Sequence, residues 1–495
     1  MSAKKPFYIT TTLPYVNAEP HIGHAMEFIR ADIIARSKRL SGFDVFFNTG
    51  TDEHGVKVYQ KAQQLNLAPQ VYVDQAAAKF KEILPVLGMS SDINFIRTTD
   101  PHHIKSAQAF WQTVQKNGEK AKDGPYIYKK NYSVKYCVGC ELEKTDSELV
   151  NGRCTLHPLQ ELEIIQEENY FFKFSAFQDT LLKLYVDRPD FVIPSTRLHE
   201  IHAFVERGLQ DFSISRLATK MPWGVPVPGD ETQVMYVWFD ALVDYISAIG
   251  WPDDEVAGVS QNGAFKKWWT ETGGVVQYCG KDNLRQQSAM WQAMLMAAGL
   301  TPSKTIVING FVTGEGGVKM SKSLGNVVNP LDVVREYGTD ALRYYVAREI
   351  SPFEDSPFTL EKFKEAYNAN LANGIGNLTS RIMKMAEANI QPDSVNPILA
   401  VEFIEALDHY DIKTACDFVW AKITALDVTI QKEEPFKKLK VEETKGAALK
   451  LIEELVKGLA EVALHLEAIL PETALKIQEC IKANKVPVAP LFMRK

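Results

Sequence analysis

The sequence predicts an α/β protein: a parallel sheet built from two separated stretches of chain, an insertion between them, and an α-helical bundle after them. Three observations carry this reading. A strand–helix–strand pattern opens the chain, strands followed by polar loops return after about residue 226, and apolar residues recur at helical spacing from about residue 361 onward.

Phe7 to Thr12 is a β-prone run that Leu13-Pro14-Tyr15 breaks. A helix is expected near Pro20, because proline suits a first helical turn. Ile22, Met26, Ile29 and Ile33 follow at spacings of four, three and four, which is one buried helix face, and Gly42 ends it. Val45-Phe46-Phe47 is a short buried strand leading into Gly50-Thr51-Asp52-Glu53-His54-Gly55. A crossover of this kind gives parallel strands. Residues 117–225 differ, being rich in Tyr, Phe and turn residues, and are read as an insertion. The second α/β stretch is read as a strand over Val234 to Phe239, another over Val275 to Cys279 ending in Gly280-Lys281-Asp282, a helix through Leu295, and a strand from Thr305 to Ile308. Polar loops after such strands are where ligands bind in open α/β sheets. Further on, Leu455, Leu459, Val462, Leu466 and Ile469 repeat at four, three, four and three, an amphipathic helix that Pro471 ends.

Composition narrows the class. With 45% hydrophobic and 24% charged residues, the 495-residue chain has ample material for several packed cores. No signal-peptide core lies in Met1 to Pro14, and no run of about 18 apolar residues occurs, so a cytoplasmic protein with no membrane span is expected. The net charge of -7 neither favours nor excludes a nucleic-acid partner, since phosphate contacts depend on local Lys and Arg. Six cysteines are too few for a disulfide scaffold. Cys279, Cys416 and Cys480 lie alone in apolar surroundings and are read as core thiols.

Three motifs carry chemistry. His21-Ile22-Gly23-His24 opens the first helix, and a helix N-terminus offers free N–H groups and the positive end of its dipole to an anion. Gly23 permits close backbone approach, and His21 and His24 can donate to a phosphate as charge develops. Lys319-Met320-Ser321-Lys322-Ser323 sits among Gly314, Gly316, Gly317 and Gly325, a loop whose lysines suit phosphates. Taken singly, the first motif also fits ordinary surface histidines and the second an ordinary solvated loop. Cys137-x-x-Cys140, then thirteen residues, then Cys154-x-x-His157 is a zinc-ligand spacing. Four protein ligands leave no open position, so one structural ion is expected.

The histidine motif and the lysine motif, in this order and context, resemble the signature pair of the class I aminoacyl-tRNA synthetases. Thr12 to Asn17, Gly50 to Gly55, Glu168-Asn169-Tyr170-Phe171-Phe172-Lys173, Tyr236-Val237-Trp238-Phe239-Asp240-Ala241 and Gly280-Lys281-Asp282 are similar to the methionyl members. The resemblance implies a Rossmann-like catalytic domain made of residues 1–116 and 226–310, split by a zinc-binding connective insertion at 117–225. Residues 311–360 would form the lysine loop and a stem-contact region, and 361–495 an α-helical anticodon-binding domain. It implies a methionine–tRNA ligase: ATP, with Mg2+, activates methionine, and the aminoacyl group passes to tRNA(Met). His21 and His24 would stabilise the α-phosphate and the leaving pyrophosphate, while Lys322, assisted by Lys319, would hold the β- and γ-phosphates. Gly23, Gly280 and Asp282 would complete the ATP site. Asp52 would bind the ammonium group and Leu13 would contact the substrate through its backbone. Tyr15, Trp238, Tyr245 and Gln287 would line the methionine pocket, although Trp238 and Tyr245 also fit core aromatics. Asn373, Asn377 and Arg381, four apart on one expected helix face, and Phe436 would read the anticodon; a plain polar face is the other reading of the first three.

Two departures stand out. Gln286 and Gln287 occupy places where the family usually has an aromatic residue and a histidine, and Phe436 stands for a tryptophan. A monomer is expected, because the chain ends soon after the bundle. Two other readings remain: a non-catalytic, synthetase-derived RNA-binding protein, or a class I synthetase for another aliphatic or thiol amino acid.

Overall fold

Alternation along the central strands decides the architecture. Phe7 and Ile9 join one buried apolar cluster and Tyr8 the other; Tyr278 and Cys279, and Val307 and Ile308, divide in the same way. A strand apolar on both faces belongs to a sheet covered on both sides. The computed structural model describes residues 4–495 except 123, 141, 145–147, 253–262, 319, 321–327 and 392–395. The strands that matter are β1 (Pro6–Thr11), β2 (Asp44–Thr51), β3 (Asn94–Arg97), β4 (Ile127–Cys137), β5 (Glu163–Phe172), β6 (Val192–Ile193), β7 (Asp230–Met235), β8 (Val276–Gly280) and β9 (Thr305–Asn309). Six of them form a parallel sheet in the order β3-β2-β1-β8-β9-β6. The edge strand β6 comes from within the stretch read as an insertion.

The order runs outward from β1 in both directions, so the sheet's topological switch lies between β1 and β8, where Ile9 pairs Val276 and Thr11 pairs Tyr278. A crevice opens at such a point, beyond the carboxyl ends of the strands. One sheet face is covered by helix α1 (Ile22–Leu40) and the C-terminal helices, which share a single apolar cluster. The amphipathic repeat falls on a helix from Glu442 to Ile469, and the next helix begins at Pro471. A buried ion pair ties these parts together: Arg343 meets Asp32 of α1 at 2.9 Å, and its remaining donors reach the Ile469, Ala468 and Leu87 carbonyls at 2.8–3.2 Å. On the other face β4 and β5 pair over most of their length and pack with the helices around Trp111 and Trp291.

Two expectations need correction. The strand foreseen over Val234 to Phe239 stops at Met235, in a small antiparallel sheet, and Val237–Ala241 is a short helix. This turns Trp238 away from the alternation of a strand. Cys480 is only partly buried, packed against the margin of the first apolar cluster, whereas Cys279 and Cys416 are core thiols.

Candidate active site

The carboxyl ends of four neighbouring strands deliver the walls of one cleft of about 570 Å³. Thr12 to Tyr15 follow β1, Asp52 follows β2, Gly280, Asp282 and Asn283 follow β8, and Asn309 to Val312 follow β9. Of the expected site residues, His21, Gly23, His24, Leu13, Tyr15, Asp52, Trp238, Tyr245, Gly280, Asp282 and Gln287 all line it. Lys319 and Lys322 lie outside the described residues; Met320, between them, lines the cleft.

At one end the cleft meets the N-terminus of α1. His21 caps this helix: its Nδ1 accepts the Gly23 N–H at 3.1 Å, and the His21 N–H donates to His24 Nδ1 at 3.3 Å. Both imidazoles therefore accept at Nδ1, which puts the proton of each neutral ring on Nε2. The rings stack 3.8 Å apart. Burial, and then the adjacent His21, hold His24 well below the usual histidine range, so it enters chemistry as a neutral donor. Gly23 favours this packing, because a Cβ there would stand 3.0 Å from the His21 ring and push it aside by a few tenths of an ångström. One turn further, Glu27 accepts from the Thr12 N–H at 2.7 Å and the Thr12 hydroxyl at 2.5 Å. Burial nevertheless pushes its carboxyl up to about 8, with Asp282 adding to the rise.

The other end is aromatic. Tyr15 and Asp52 are bridged through backbone, with Asp52 N–H to Pro14 O at 3.0 Å and Val16 N–H to Asp52 O at 3.1 Å. Gly55 adopts φ +112°, and a Cβ on it would meet the Tyr15 hydroxyl at 2.5 Å. Trp238 and the buried Tyr245 come from consecutive short helices, and the Tyr245 hydroxyl accepts from Gln287 Nε2 at 2.8 Å. Behind this wall Asp240 joins His54 at 2.7 Å and His103 at 2.9 Å, and His103 reaches the Ser247 hydroxyl at 2.9 Å. Burial opposes the Asp240 charge, but the two histidines outweigh it and hold the carboxyl down at about 2. The network links the Asp52 loop to the helices that carry Trp238 and Tyr245.

Cys137, Cys140, Cys154 and His157 converge, with ligand atoms all within 4.8 Å of one another, as a group that can hold a metal ion. Cys137 ends β4, and an Asn151-Gly152 turn, both residues at positive φ, folds Cys154 back towards it. Cys140 Sγ lies 3.4 Å from Cys154 Sγ and 3.2 Å from His157 Nδ1, close to the edge of a tetrahedron with ~2.3 Å metal–sulfur bonds. Gly139 leaves room for the His157 ring, 2.4 Å from where a Cβ would be. The same glycine's carbonyl accepts from Lys57 Nζ at 2.8 Å, and both Lys57 and Cys140 reach the cleft wall.

The remaining candidates lie apart from the cleft. Asn373 and Asn377 are exposed, but the helix breaks between them at Gly374 (φ -86°, ψ -108°), so regular α spacing holds only from Asn377 to Arg381. Arg381 pairs with Asp427. Phe436, on the helix Pro435–Lys438, is 44% exposed, unlike a core ring.

Sequence reasoning missed Glu27, Lys57 and the buried polar groups around Asp240 and Gln277. Glu27 was legible: it lies three residues after His24, on the same helix face. Asp240 and Lys57 depend on partners more than 80 residues away, and Gln277 on partners 10 and 26 residues away in other elements, which no local pattern shows.

The profile described as tRNA synthetases class I (M) matches residues 7–158 and 137–383. A methionine–tRNA ligase of Thermosynechococcus vestitus is 45% identical over 77% of this chain and 69% of its own length. One from Synechocystis sp. is 37% identical over 97% of this chain and 90% of its own. Among solved structures, methionyl-tRNA synthetase of Mycobacterium tuberculosis in complex with methionyl-adenylate superposes with a TM-score of 0.86 at 33% identity, covering 98% of this chain and 97% of that one.

Proposed function

The chain belongs to the methionine group of the class I tRNA synthetases and acts as a methionine–tRNA ligase, and we propose from that premise how its own residues carry the reaction. A methionine carboxylate oxygen attacks the ATP α-phosphorus, the bond to the bridging oxygen breaks, and pyrophosphate leaves. A ribose hydroxyl at the tRNA 3′ end then attacks the acyl carbon of the adenylate, and AMP leaves. No side-chain nucleophile is needed, so rate comes from positioning and from charge stabilisation.

Asp52 takes the ammonium group, the Leu13 backbone the amino acid, and Tyr15, Trp238 and Tyr245 the thioether, which packs favourably on aromatic rings. The α1 N-terminus receives the α-phosphate at Gly23, and His21 and His24 donate from Nε2 as charge develops. Gly280 and Asp282 hold the nucleotide, which arrives with Mg2+. Lys319 and Lys322 take the β- and γ-phosphates. Zn2+ fits the three-sulfur, one-nitrogen cluster and, with no position left for water, would serve to fix the knuckle that touches Lys57. Asn373, Asn377, Arg381 and Phe436 are assigned to the anticodon. The cytoplasm is the proposed site of action, which suits a tRNA substrate. Among the described residues no helix is long and apolar enough to cross a membrane.

The observation that carries this reading is the meeting, in one cleft at the sheet's switch point, of a histidine-capped helix N-terminus with an aromatic pocket that has Asp52 at its side. The test is amino-acid-dependent ATP–pyrophosphate exchange across the twenty amino acids, with His24→Ala alongside. Exchange with methionine alone, lost in the variant, is expected. Exchange with a different amino acid moves the assignment to a sister enzyme, and none from well-folded protein supports the non-catalytic reading.

A further inference from the structure

Beside Tyr245 runs a line of buried polar groups whose hydrogen-bond direction is fixed by backbone. The Ser303 N–H can only donate, and it donates to Gln292 Oε1 at 2.9 Å. The Gln292 amide nitrogen therefore points the other way, to the Gln287 carbonyl at 2.7 Å, which can only accept, and to Ser303 Oγ at 3.2 Å. Accepting there, the Ser303 hydroxyl gives its one proton to Gln277 Oε1 at 2.5 Å. That orients the Gln277 amide, whose Nε2 donates to Gln287 Oε1 at 2.6 Å. The Gln287 amide is oriented in turn, and its Nε2 donates to the Tyr245 hydroxyl at 2.8 Å.

All five residues are at most 3% exposed. Gln287 and Tyr245 line the cleft, while Gln277, Gln292 and Ser303 do not. Each link follows from the previous one, so Tyr245 receives a hydrogen bond from Gln287 and has its own proton left to give. Burial pushes the phenol far up, so that proton stays on.

We propose that Ser303, Gln292, Gln277 and Gln287 form a one-way hydrogen-bond relay that fixes the Tyr245 hydroxyl as a donor into the cleft, selecting a side chain with an acceptor atom there over an apolar chain of the same length. This rests on the methionine reading of the cleft, in which the acceptor is the thioether sulfur. A methylene in that place leaves a buried donor unpaired, which costs affinity, whereas apolar contact alone separates the two side chains poorly. The relay also accounts for Gln287: its amide accepts from Gln277 and donates to Tyr245 at once.

The test compares methionine with norleucine, which has a methylene for sulfur, by the kcat/KM of ATP–pyrophosphate exchange. Tyr245→Phe should lower the methionine-to-norleucine ratio by about tenfold, the effect of one hydrogen bond. Gln277→Leu, distant from the substrate, should lower it severalfold in the same direction, and Ser303→Ala should do likewise if the leucine variant folds poorly. In the Tyr245→Phe background neither should shift the ratio further. Equal loss for both amino acids in the Gln277 and Ser303 variants, or additive loss in the double variants, would overturn the relay and leave the methionine reading standing. Wild-type protein that activates neither amino acid would overturn that reading and the relay with it.

Discussion

Gly55→Ala places a single methyl group between the fold and the site. Gly55 precedes the helix Val56–Gln64 at φ 112°, ψ 171°, a region essentially confined to glycine. Holding alanine there costs about 1–3 kcal/mol. The new Cβ would stand 2.5 Å from the Tyr15 hydroxyl oxygen, where ordinary contact begins at 3.4 Å, so the phenol must retreat by about 0.9 Å. Tyr15 lines the cleft, and a displacement of ~1 Å in a positioned site can cost ~100-fold in rate. Urea denaturation should show the stability loss, and ATP–pyrophosphate exchange with methionine should show kcat/KM falling by ~10- to 100-fold. Tyr15→Phe removes only the 2.5 Å contact; the ring carbon that carries the hydroxyl lies 3.5 Å away. The double variant should therefore regain most of the rate and none of the stability. Wild-type rate and midpoint in Gly55→Ala, or a rate that Tyr15→Phe leaves unrescued, would refute the reasoning.

Other perturbations follow from the same structure. Arg343→Ala takes one of two cations from the buried Asp32, leaving Arg36 at 2.7 Å, and strips the Ile469, Ala468 and Leu87 carbonyls of their donor, so it should cost about 3 kcal/mol by urea midpoint. Asp240 is held at about 2 against an unfolded value of 3.8, so its contribution is present above pH ~4 and lost as pH falls toward ~2, a change of about 2 kcal/mol. Asp240→Asn should be less stable at neutral pH and flatter across that acid window in unfolding titrations. Cys154→Ser, with three of four ligands left, should lose metal on gel filtration, read by elemental analysis. It should also raise the KM for methionine more than it lowers kcat, because the knuckle holds Lys57 at the cleft edge.

Much of the site was legible because it depends on short-range rules. A helix start beside a glycine, paired histidines three apart, and two close ligand pairs are local patterns, and the structure brings each set together. The parallel sheet was legible for a similar reason, through apolar runs separated by crossovers. What failed to show was tertiary. Val234 to Phe239 is an unbroken apolar, β-prone run, yet the chain leaves its strand after Met235 to start a helix that delivers Trp238 to the cleft. The break at Gly374 spoils the even spacing from Asn373 to Arg381, since one residue's dihedral angles reset the helical phase. Gln287 reads from the sequence as a pocket residue in the place of a histidine, but the buried polar chain it joins does not show there, because the other members lie 42 and 10 residues before it and 5 and 16 after it. Such a chain has no sequence period.

The central claim is that adenylate forms where the α1 N-terminus meets the aromatic pocket. A crystal structure of the chain with methionyl-adenylate tests it most directly. The account predicts the phosphate at Gly23 and His24, the ammonium at Asp52, and the sulfur between Trp238 and the Tyr245 hydroxyl. An adenylate with its side chain outside that pocket, or its phosphate away from α1, would contradict it.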